Sequence, residues 1–450
     1  MQNKIGYNKK DSSSDRNGGE KMLETYEKAL KWIHGIRRFG KKPGLKRMEW
    51  MMDKLDHPEK KVPMIHVAGT NGKGSTVTFI RHLLQEQGLV VGTFTSPFIE
   101  VFNERISVNG EPISNEQLLA LANAIYPLAE ALEKTELGGP SEFEVITAMM
   151  FLYFGIGQVD VAVVEVGIGG LLDSTNILTP EVSVITTIGM DHMELLGKTL
   201  PEIAAQKAGI IKPGVPVVAG NIPKEALEVI EKIAQNQQSP LYAFQKDYVI
   251  SKWHTLPTWG EQFTYEDDQI MLQPIQLSML GRHQTENAAA AIKAVAVFSQ
   301  KRALLLNHEK MLLGLKQAFW PGRMEKISDS PLIVMDGAHN VPGIERLIET
   351  IKQDFAQQEI VILFAALSNK EYSKMIQMLK KVPHVHLILT SFEHERAVTA
   401  EDICQEEDMV FFEVWQEALL AAVKQAGEDS VLLITGSLYF ISEVRRTLLK

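Results

Sequence analysis

Short β-branched runs separated by amphipathic stretches fill this chain from residue 62 to its end. Val62, Met64, Ile65 and Val67 read as a buried strand, and residues 77–87, after a glycine-rich turn, as an amphipathic helix. Further strands are expected at 89–94, 159–166 and 182–188. The last two are β-branched and apolar, as parallel strands covered on both faces require. Helices are expected at 114–132, where Ser114 and Gln117 have capping-box spacing, and at 142–154, 200–210, 224–235 and 285–299. Residues 22–55 look helical, interrupted at Pro43-Gly44. Residues 245–276 are polar, aromatic and turn-rich, as a small antiparallel insertion would be.

A boundary is expected at Phe319-Trp320-Pro321-Gly322-Arg323, after which the alternation restarts. Strands are read at 332–335, 360–364, 386–389, 410–414 and 431–434, and helices at 341–353, 371–380, 416–425 and 438–448. The expected organisation is a tail at 1–20, a first α/β domain at 21–318, a linker at 319–330 and a second, smaller α/β domain at 331–450. Met1–Glu20 has no apolar core, so it reads as a disordered tail rather than a secretory signal.

Bulk properties narrow the function classes. The 450 residues carry a formal charge of −10, which argues against a nucleic-acid binder. The lone Cys404 excludes an internal disulfide framework and suits a reducing compartment. No apolar run reaches membrane-span length, so a cytoplasmic protein is expected.

The chemistry concentrates at Gly69-Thr70-Asn71-Gly72-Lys73-Gly74-Ser75-Thr76. Between a strand and a helix, such a loop turns successive N–H groups toward one anion, and Lys73 adds a movable charge. The match to a phosphate-binding loop is imperfect: Val67 stands where its first glycine belongs, and Gly74 where its hydroxyl belongs. Ser96, after the 89–94 run, reads either as a turn residue or as a metal or phosphate ligand. Glu165 ends an apolar strand, where a carboxylate is costly unless paired or metal-bound. With His192 at the neighbouring strand end, it forms a candidate magnesium or manganese site. Singly, the two also fit an amide-bonded carboxylate and a surface histidine. Lys207 by itself reads as compensation of a helix C-terminus, and His283 with Asn287 as an ordinary i, i+4 pair. Asp336-Gly337-Ala338-His339-Asn340 follows a strand and reads equally as a ligand site or a surface loop.

In order, HVAGTNGKGST, TSPF, SEFE, EVGIGGLLDSTN, GMDH, QKAGII, GRHQTENA, PGRME, DGAHN and TGSLYF closely resemble the folylpolyglutamate synthase/dihydrofolate synthase family of the Mur ligase superfamily, from about Glu24 onward. The resemblance implies a P-loop, mostly parallel-sheet ATPase domain followed by a smaller Rossmann-like α/β domain. It implies an ADP-forming ligase that joins L-glutamate to a reduced folate or to dihydropteroate through an acyl phosphate. Gly72, Lys73, Gly74 and Ser75 would hold ATP, with Asn287, Arg323 and Asp336 completing the nucleotide site from both lobes. Ser96, Glu165 and His192 would bind magnesium, and a carbamylated Lys207 would support a second metal. Phe143 and Glu144 would belong to the pterin segment, and His339 and Ser437 to the glutamate side. Lys73, Lys207 and His339 are the expected catalytic groups. A monomer with small-molecule partners, and neither nucleic acid nor membrane, is expected. Three positions depart from the family pattern: Leu171 for arginine, Gln206 for glutamate and Val341 for proline. A peptidoglycan-type Mur ligase would place a nucleotide-sugar domain before a loop that here begins by Gly69. A nucleotide-hydrolysing switch protein would need a partner-reading element, which these motifs do not supply.

Overall fold

The computed structural model describes residues 22–36, 44–157, 159–403 and 409–449; the expected tail and Cys404 lie outside them. Two α/β lobes make up the fold. The first sheet contains β1 (Met64–Ala68), β2 (Val91–Phe94), β3 (Ile106–Val108), β4 (Glu111–Pro112), β5 (Val161–Glu165), β6 (Val182–Ile185), β7 (Val217–Ala219) and β8 (Leu241–Ala243), in the order β4-β3-β2-β5-β1-β6-β7-β8. All pairs are parallel except β2–β3 and β3–β4. β1 and β5 are buried at every position, which is why, apart from His66 and Glu165, they are apolar throughout.

This strand order creates the site. The chain leaves β1 through the helix Lys73–Glu86 and returns as β2, two positions away. β5 then fills the gap, and β6 pairs with the other side of β1. The loop after β1 therefore sits at a topological switch point, between the carboxyl ends of β5 and β6. One face of the sheet packs on Lys73–Glu86, the long helix Arg282–Lys301 and the helix His308–Gln317. The other packs on the helices Tyr26–Gly35, Lys46–Lys54, Asn115–Glu133 and Glu142–Gly155. The expected antiparallel insertion is β9 (Tyr248–Thr255), β10 (Glu261–Asp267) and β11 (Met271–Leu277). Buried Lys293 ties it to the long helix through Asp267 at 3.0 Å.

The second sheet contains β12 (Glu325–Asp329), β13 (Leu332–Met335), β14 (Ile360–Phe364), β15 (Val385–Thr390), β16 (Val410–Phe412) and β17 (Val431–Thr435), in the order β12-β13-β17-β14-β15-β16. Residues 319–330 are thus not simply a linker: β12 pairs antiparallel with β13. Here too the chain skips a position, from β13 to β14, and β17 later fills it. Asp336, Lys370 and Ser437 consequently follow three adjacent strand ends. Short strands at 217–219, 241–243 and 106–108, and the helix His308–Gln317, were not anticipated; the strands have only three residues each. Among the described residues no helix is long and apolar enough to cross a membrane.

Inside β1, His66 is completely buried, and its Nε2 lies 2.8 Å from Thr175 Oγ1. The Thr175 hydroxyl gives its one proton to Asp173 Oδ1 at 2.6 Å, so it accepts from His66, whose Nε2 carries the hydrogen. His66 Nδ1 has no partner, and burial pulls the imidazole pKa down to about 3. Between its ordinary value near 6.5 and that depressed value, only the unfolded chain takes up this proton. Stability is therefore complete above pH 6.5 and falls as the pH drops, by about 1.4 kcal/mol per pH unit for this one group. Urea midpoints between pH 7.5 and 5.5 should fall in the wild type and fall less steeply in His66→Gln. Parallel pH profiles would contradict the assignment.

Candidate active site

The loop between β1 and its helix is held by the chain after β6. Thr70 N–H bonds Thr187 O at 2.9 Å, and Asn71 N–H bonds Thr187 Oγ1 at 3.0 Å. Thr186 Oγ1 donates to Asn71 O at 2.6 Å, and the Thr70 hydroxyl exchanges bonds with Gly189. Gly72 has a left-handed φ of 82°, and a Cβ there would overlap the Asn287 amide oxygen. A Cβ on Gly74 would lie 2.8 Å from the Trp320 indole nitrogen. Asn287 and Trp320 thus close over the loop, which has room only for glycine at these points. Ser75 and Thr76 are buried in the first turn of the helix.

Lys73 Nζ donates to Gly69 O at 3.2 Å and lies 3.9 Å from Glu165 Oε1. Glu165 is buried and accepts one amide bond, from Ser96 N at 3.3 Å. Burial raises its pKa to about 7 against the pull of Lys73, the Ser96 amide, Arg323 and Arg105. Lys207, also buried, donates to the same Gly69 carbonyl at 3.0 Å. Burial, then the charge of Lys73, draws its pKa down to about 7, opposed by Asp191 and Asp173. His192, in a left-handed conformation after β6, is held near pKa 4 by burial despite Asp191, and so presents a neutral imidazole.

The second lobe meets this arrangement through polar groups. Asn340 and Asn71 exchange two amide bonds, both 3.0 Å. Asn340 Nδ2 also reaches Asp191 Oδ2 at 2.8 Å, while its Oδ1 caps the helix Val341–Asp354 through Gly343 N at 2.9 Å. Lys370 Nζ donates to Asp191 Oδ1 at 2.6 Å. Burial alone would raise the Asp191 pKa; Lys370, His192 and His339 together hold it below the carboxylate range. Burial, with Lys370, lowers the His339 pKa to about 4, and its Nδ1–H donates to Gly337 O at 2.8 Å, leaving Nε2 as an acceptor. Arg323 lies within the fields of Asp336 and Glu165, so it spans both lobes. Asp336 accepts from Met324 N and Ala338 N at 3.0 and 2.9 Å. Ser437 is buried at the head of the C-terminal helix.

Lys73, Glu165, Lys207, His192, Asn287, Arg323, Asp336 and His339 therefore gather where the lobes face each other. Glu144 does not: its carboxylate takes a two-oxygen ion pair with Arg47 Nε at 3.0 Å and closes a capping box with Ser141. That pairing ties the helix of the expected pterin segment to the helix Lys46–Lys54. The neighbouring Phe143 does face the site side, packed so closely on Gly167 that a Cβ there would lie 2.6 Å from the ring. Among the described residues no three His, Cys, Asp or Glu side chains converge to hold a metal. A cation would need other oxygens besides Glu165 and His192. Glu165 and His192 do not follow neighbouring strands as expected, because β1 lies between β5 and β6; an under-neutralised buried carboxylate nevertheless fits a divalent ion. Sequence reasoning did not single out Thr186, Thr187, Trp320 and Lys370, and it named Asp191 and Asn340 only as members of their motifs. Asn340 also carried a readable signal of its own, an N-cap asparagine directly before a helix.

Two lobes that meet at a phosphate loop define a nucleotide-dependent ligase of the Mur type. The Mur ligase middle domain matches residues 67–295, and the Mur ligase glutamate ligase domain matches residues 322–438. A dihydrofolate synthase/folylpolyglutamate synthase of Bacillus subtilis (strain 168) is 46% identical over 95% of this chain and 100% of its own. A folylpolyglutamate synthase of Lacticaseibacillus casei is 40% identical over 94% and 99%. An FPGS–AMPPCP–folate complex superposes with a TM-score of 0.85 at 39% identity, covering 95% of this chain and 100% of that one. Mycobacterium tuberculosis folylpolyglutamate synthase complexed with ADP gives a TM-score of 0.88 at 27% identity, covering 94% and 98%. The chain belongs to the folylpolyglutamate synthase/dihydrofolate synthase family.

The bridge through Asn340 is separable from its cap. Asn340→Ser keeps a good N-cap but loses the bonds to Asn71 and Asp191. Thermal stability should hold, while kcat/KM falls by about tenfold to a hundredfold, the scale of two or three lost hydrogen bonds. Unchanged kinetics would show that the bridge has no part in turnover.

Proposed function

We propose that this protein transfers the γ-phosphoryl group of ATP to the carboxylate of a reduced folate, or of dihydropteroate, and that the amino group of L-glutamate then displaces phosphate to form an amide. The observation that carries this is the meeting of Lys73, Glu165 and the buried Lys207 with Asn340, His339 and Arg323 of the other lobe. A carboxylate is a poor electrophile, so the first step must activate it, and two anions must approach each other. Lys73 and Arg323 offset that charge from opposite lobes. Magnesium, held by Glu165 and His192 with Ser96 beside them, would supply further charge neutralisation. The loop amides and Asn287 orient the triphosphate. The neutral Nε2 of His339 would accept the proton of the incoming ammonium. Asp336 positions the segment that carries His339, and Ser437 lies at the neighbouring strand end on the glutamate side.

Lys207 is the candidate for carbamylation. Carbon dioxide reacts only with a neutral amine, and burial beside Lys73 provides one. Of the departures from the family pattern, Leu171 is an exposed side chain, and Val341 is followed at once by Pro342, so the helix still opens on a proline turn. We place the protein in the cytoplasm, acting as a monomer.

Mass spectrometry of products formed from dihydropteroate and from tetrahydrofolate, each with ATP and glutamate, tests the reading. Phosphate release should require both acceptor and glutamate; release from ATP alone would favour a nucleotide-hydrolysing protein instead. Lys73→Ala should fold normally and lose on the order of 10³-fold in turnover, as when a phosphoryl-transfer charge is removed. Near-native turnover in a folded variant would sink the assignment. Lys207→Ala should be inactive and partly rescued by short carboxylates such as acetate; a fully active alanine variant would show that no modified lysine is needed.

A further inference from the structure

Arg105 is a buried cation to which the reaction outlined above assigns no task. It immediately precedes β3, and its carbonyl accepts from Thr95 N at 3.1 Å, which fixes its backbone beside Ser96. Its guanidinium lies over two rings, 5.5 Å from the Phe98 centroid and 5.6 Å from that of Phe102. Nε is sealed from solvent with no hydrogen-bond partner, yet the residue as a whole keeps partial exposure. Among the described residues no ion pair or side-chain hydrogen bond engages this guanidinium, although its field reaches Glu142 and Glu165 on its own lobe and Tyr439 on the other.

That is an expensive arrangement for a group with five donors. Two phenyl rings return part of the lost solvation, but no anion completes it. Arginine's planar fork suits a carboxylate bound through two parallel bonds. The position narrows which carboxylate. Arg105 is close enough to Glu165 to feel its charge but makes no ion pair with it, so it stands beside the phosphoryl-transfer centre rather than inside it. It also shares a wall with the aromatic groups of the first lobe: Phe98 packs on Phe102 at 5.8 Å, and Phe94 on Phe143 at 5.8 Å. A flat aromatic substrate lying along that wall, with its reacting carboxylate at the metal side, would place a second carboxylate a few bonds away near Arg105. A folate has such a group, the α-carboxylate of its terminal glutamate. A pteroate has only the carboxylate that reacts.

We propose that Arg105 binds the non-reacting α-carboxylate of a folate substrate and so distinguishes glutamylated from unglutamylated pterins. The proposal rests on the pterin-substrate reading above. It also explains why an unpaired cation is kept where an apolar residue would pack more cheaply.

Equilibrium binding of folic acid and pteroic acid to the full-length protein, with AMPPCP present, tests it in the wild type, Arg105→Gln and Arg105→Lys. Arg105→Gln should weaken folic acid by about tenfold to a hundredfold, the scale of a lost charged hydrogen-bond pair, and leave pteroic acid within about twofold. Arg105→Lys should recover part of the loss. Without ligand, Arg105→Gln should melt within a few degrees of the wild type, because the cation gives up only its two ring contacts and no protein anion. Equal weakening of both ligands, or a lower melting temperature with no change in binding, would overturn the assignment while leaving the pterin reading intact. Likewise, a normal folic acid affinity with a raised KM for L-glutamate would move Arg105 to the amino-acid side and overturn it. If the wild type binds neither pterin, the substrate reading and the Arg105 assignment fall together.

Discussion

Glu165 is buried at the end of β5 with one amide at 3.3 Å and one ammonium at 3.9 Å, and the rest of the site is arranged around that deficit. Removing a carboxylate from water costs several kcal/mol unless strong partners replace the solvent, and these partners are neither close nor numerous. On the other side of the loop, Lys73 and Lys207 crowd a single carbonyl, Gly69 O. The centre therefore holds one under-paired carboxylate and two lysines so placed that burial, and then Lys73, draws Lys207 toward its neutral form. A nucleotide triphosphate with its metal would relieve both imbalances at once. A site of this kind would be complementary to charges that it does not itself contain.

The fold can hold such a site because both sheets present it at the same kind of place. In each lobe the chain skips a strand position and fills it later, so neighbouring strands leave their carboxyl ends pointing into one gap. β1, β5 and β6 bring Lys73, Glu165 and His192 together, and β13, β14 and β17 bring His339, Lys370 and Ser437. The lobes touch through polar groups, the Asn71–Asn340 amide pair, Lys370 on Asp191, Arg346 on Glu286 at 3.2 Å, and Arg445 shared between Glu325 and Glu100, and through apolar ones, with Ile99 and Leu280 of the first lobe buried in the second lobe's clusters and Trp259 against Phe355. The polar contacts lie around the phosphate loop, where substrates must enter, and the apolar ones lie away from it. The proposed reaction would have to admit three substrates and then exclude water from an acyl phosphate.

Much of this was legible in the residues because it follows from local physics. The phosphate loop has glycines where Asn287 and Trp320 leave no room for a side chain, and the apolar strands advertise burial on both faces. A carboxylate at the end of such a strand announces an unmet cost. What escaped was non-local. Lys370 lies in a charged loop and acquires meaning only because β14 ends opposite Asp191. Glu144 belongs to a motif yet anchors a helix through Arg47, which is distant in sequence. Short strands such as 217–219 are too brief for periodicity to show, and β12 hid inside a segment whose proline and glycine content suggested a linker. Arg105 drew no notice because an arginine is unremarkable until its surroundings prove to contain no anion for it.

Glu165→Gln removes the charge and keeps the shape. The account predicts that this variant, without ligands, melts at or above the wild-type temperature, since an uncompensated carboxylate has become a neutral amide. It should also need at least about tenfold more magnesium for half-maximal turnover, in proportion to the loss of a direct charged ligand. A melting temperature well below that of the wild type, together with an unchanged magnesium requirement, would mean that Glu165 is a structural ion-pair partner, and the claim that this centre awaits a cation and a polyphosphate would be wrong.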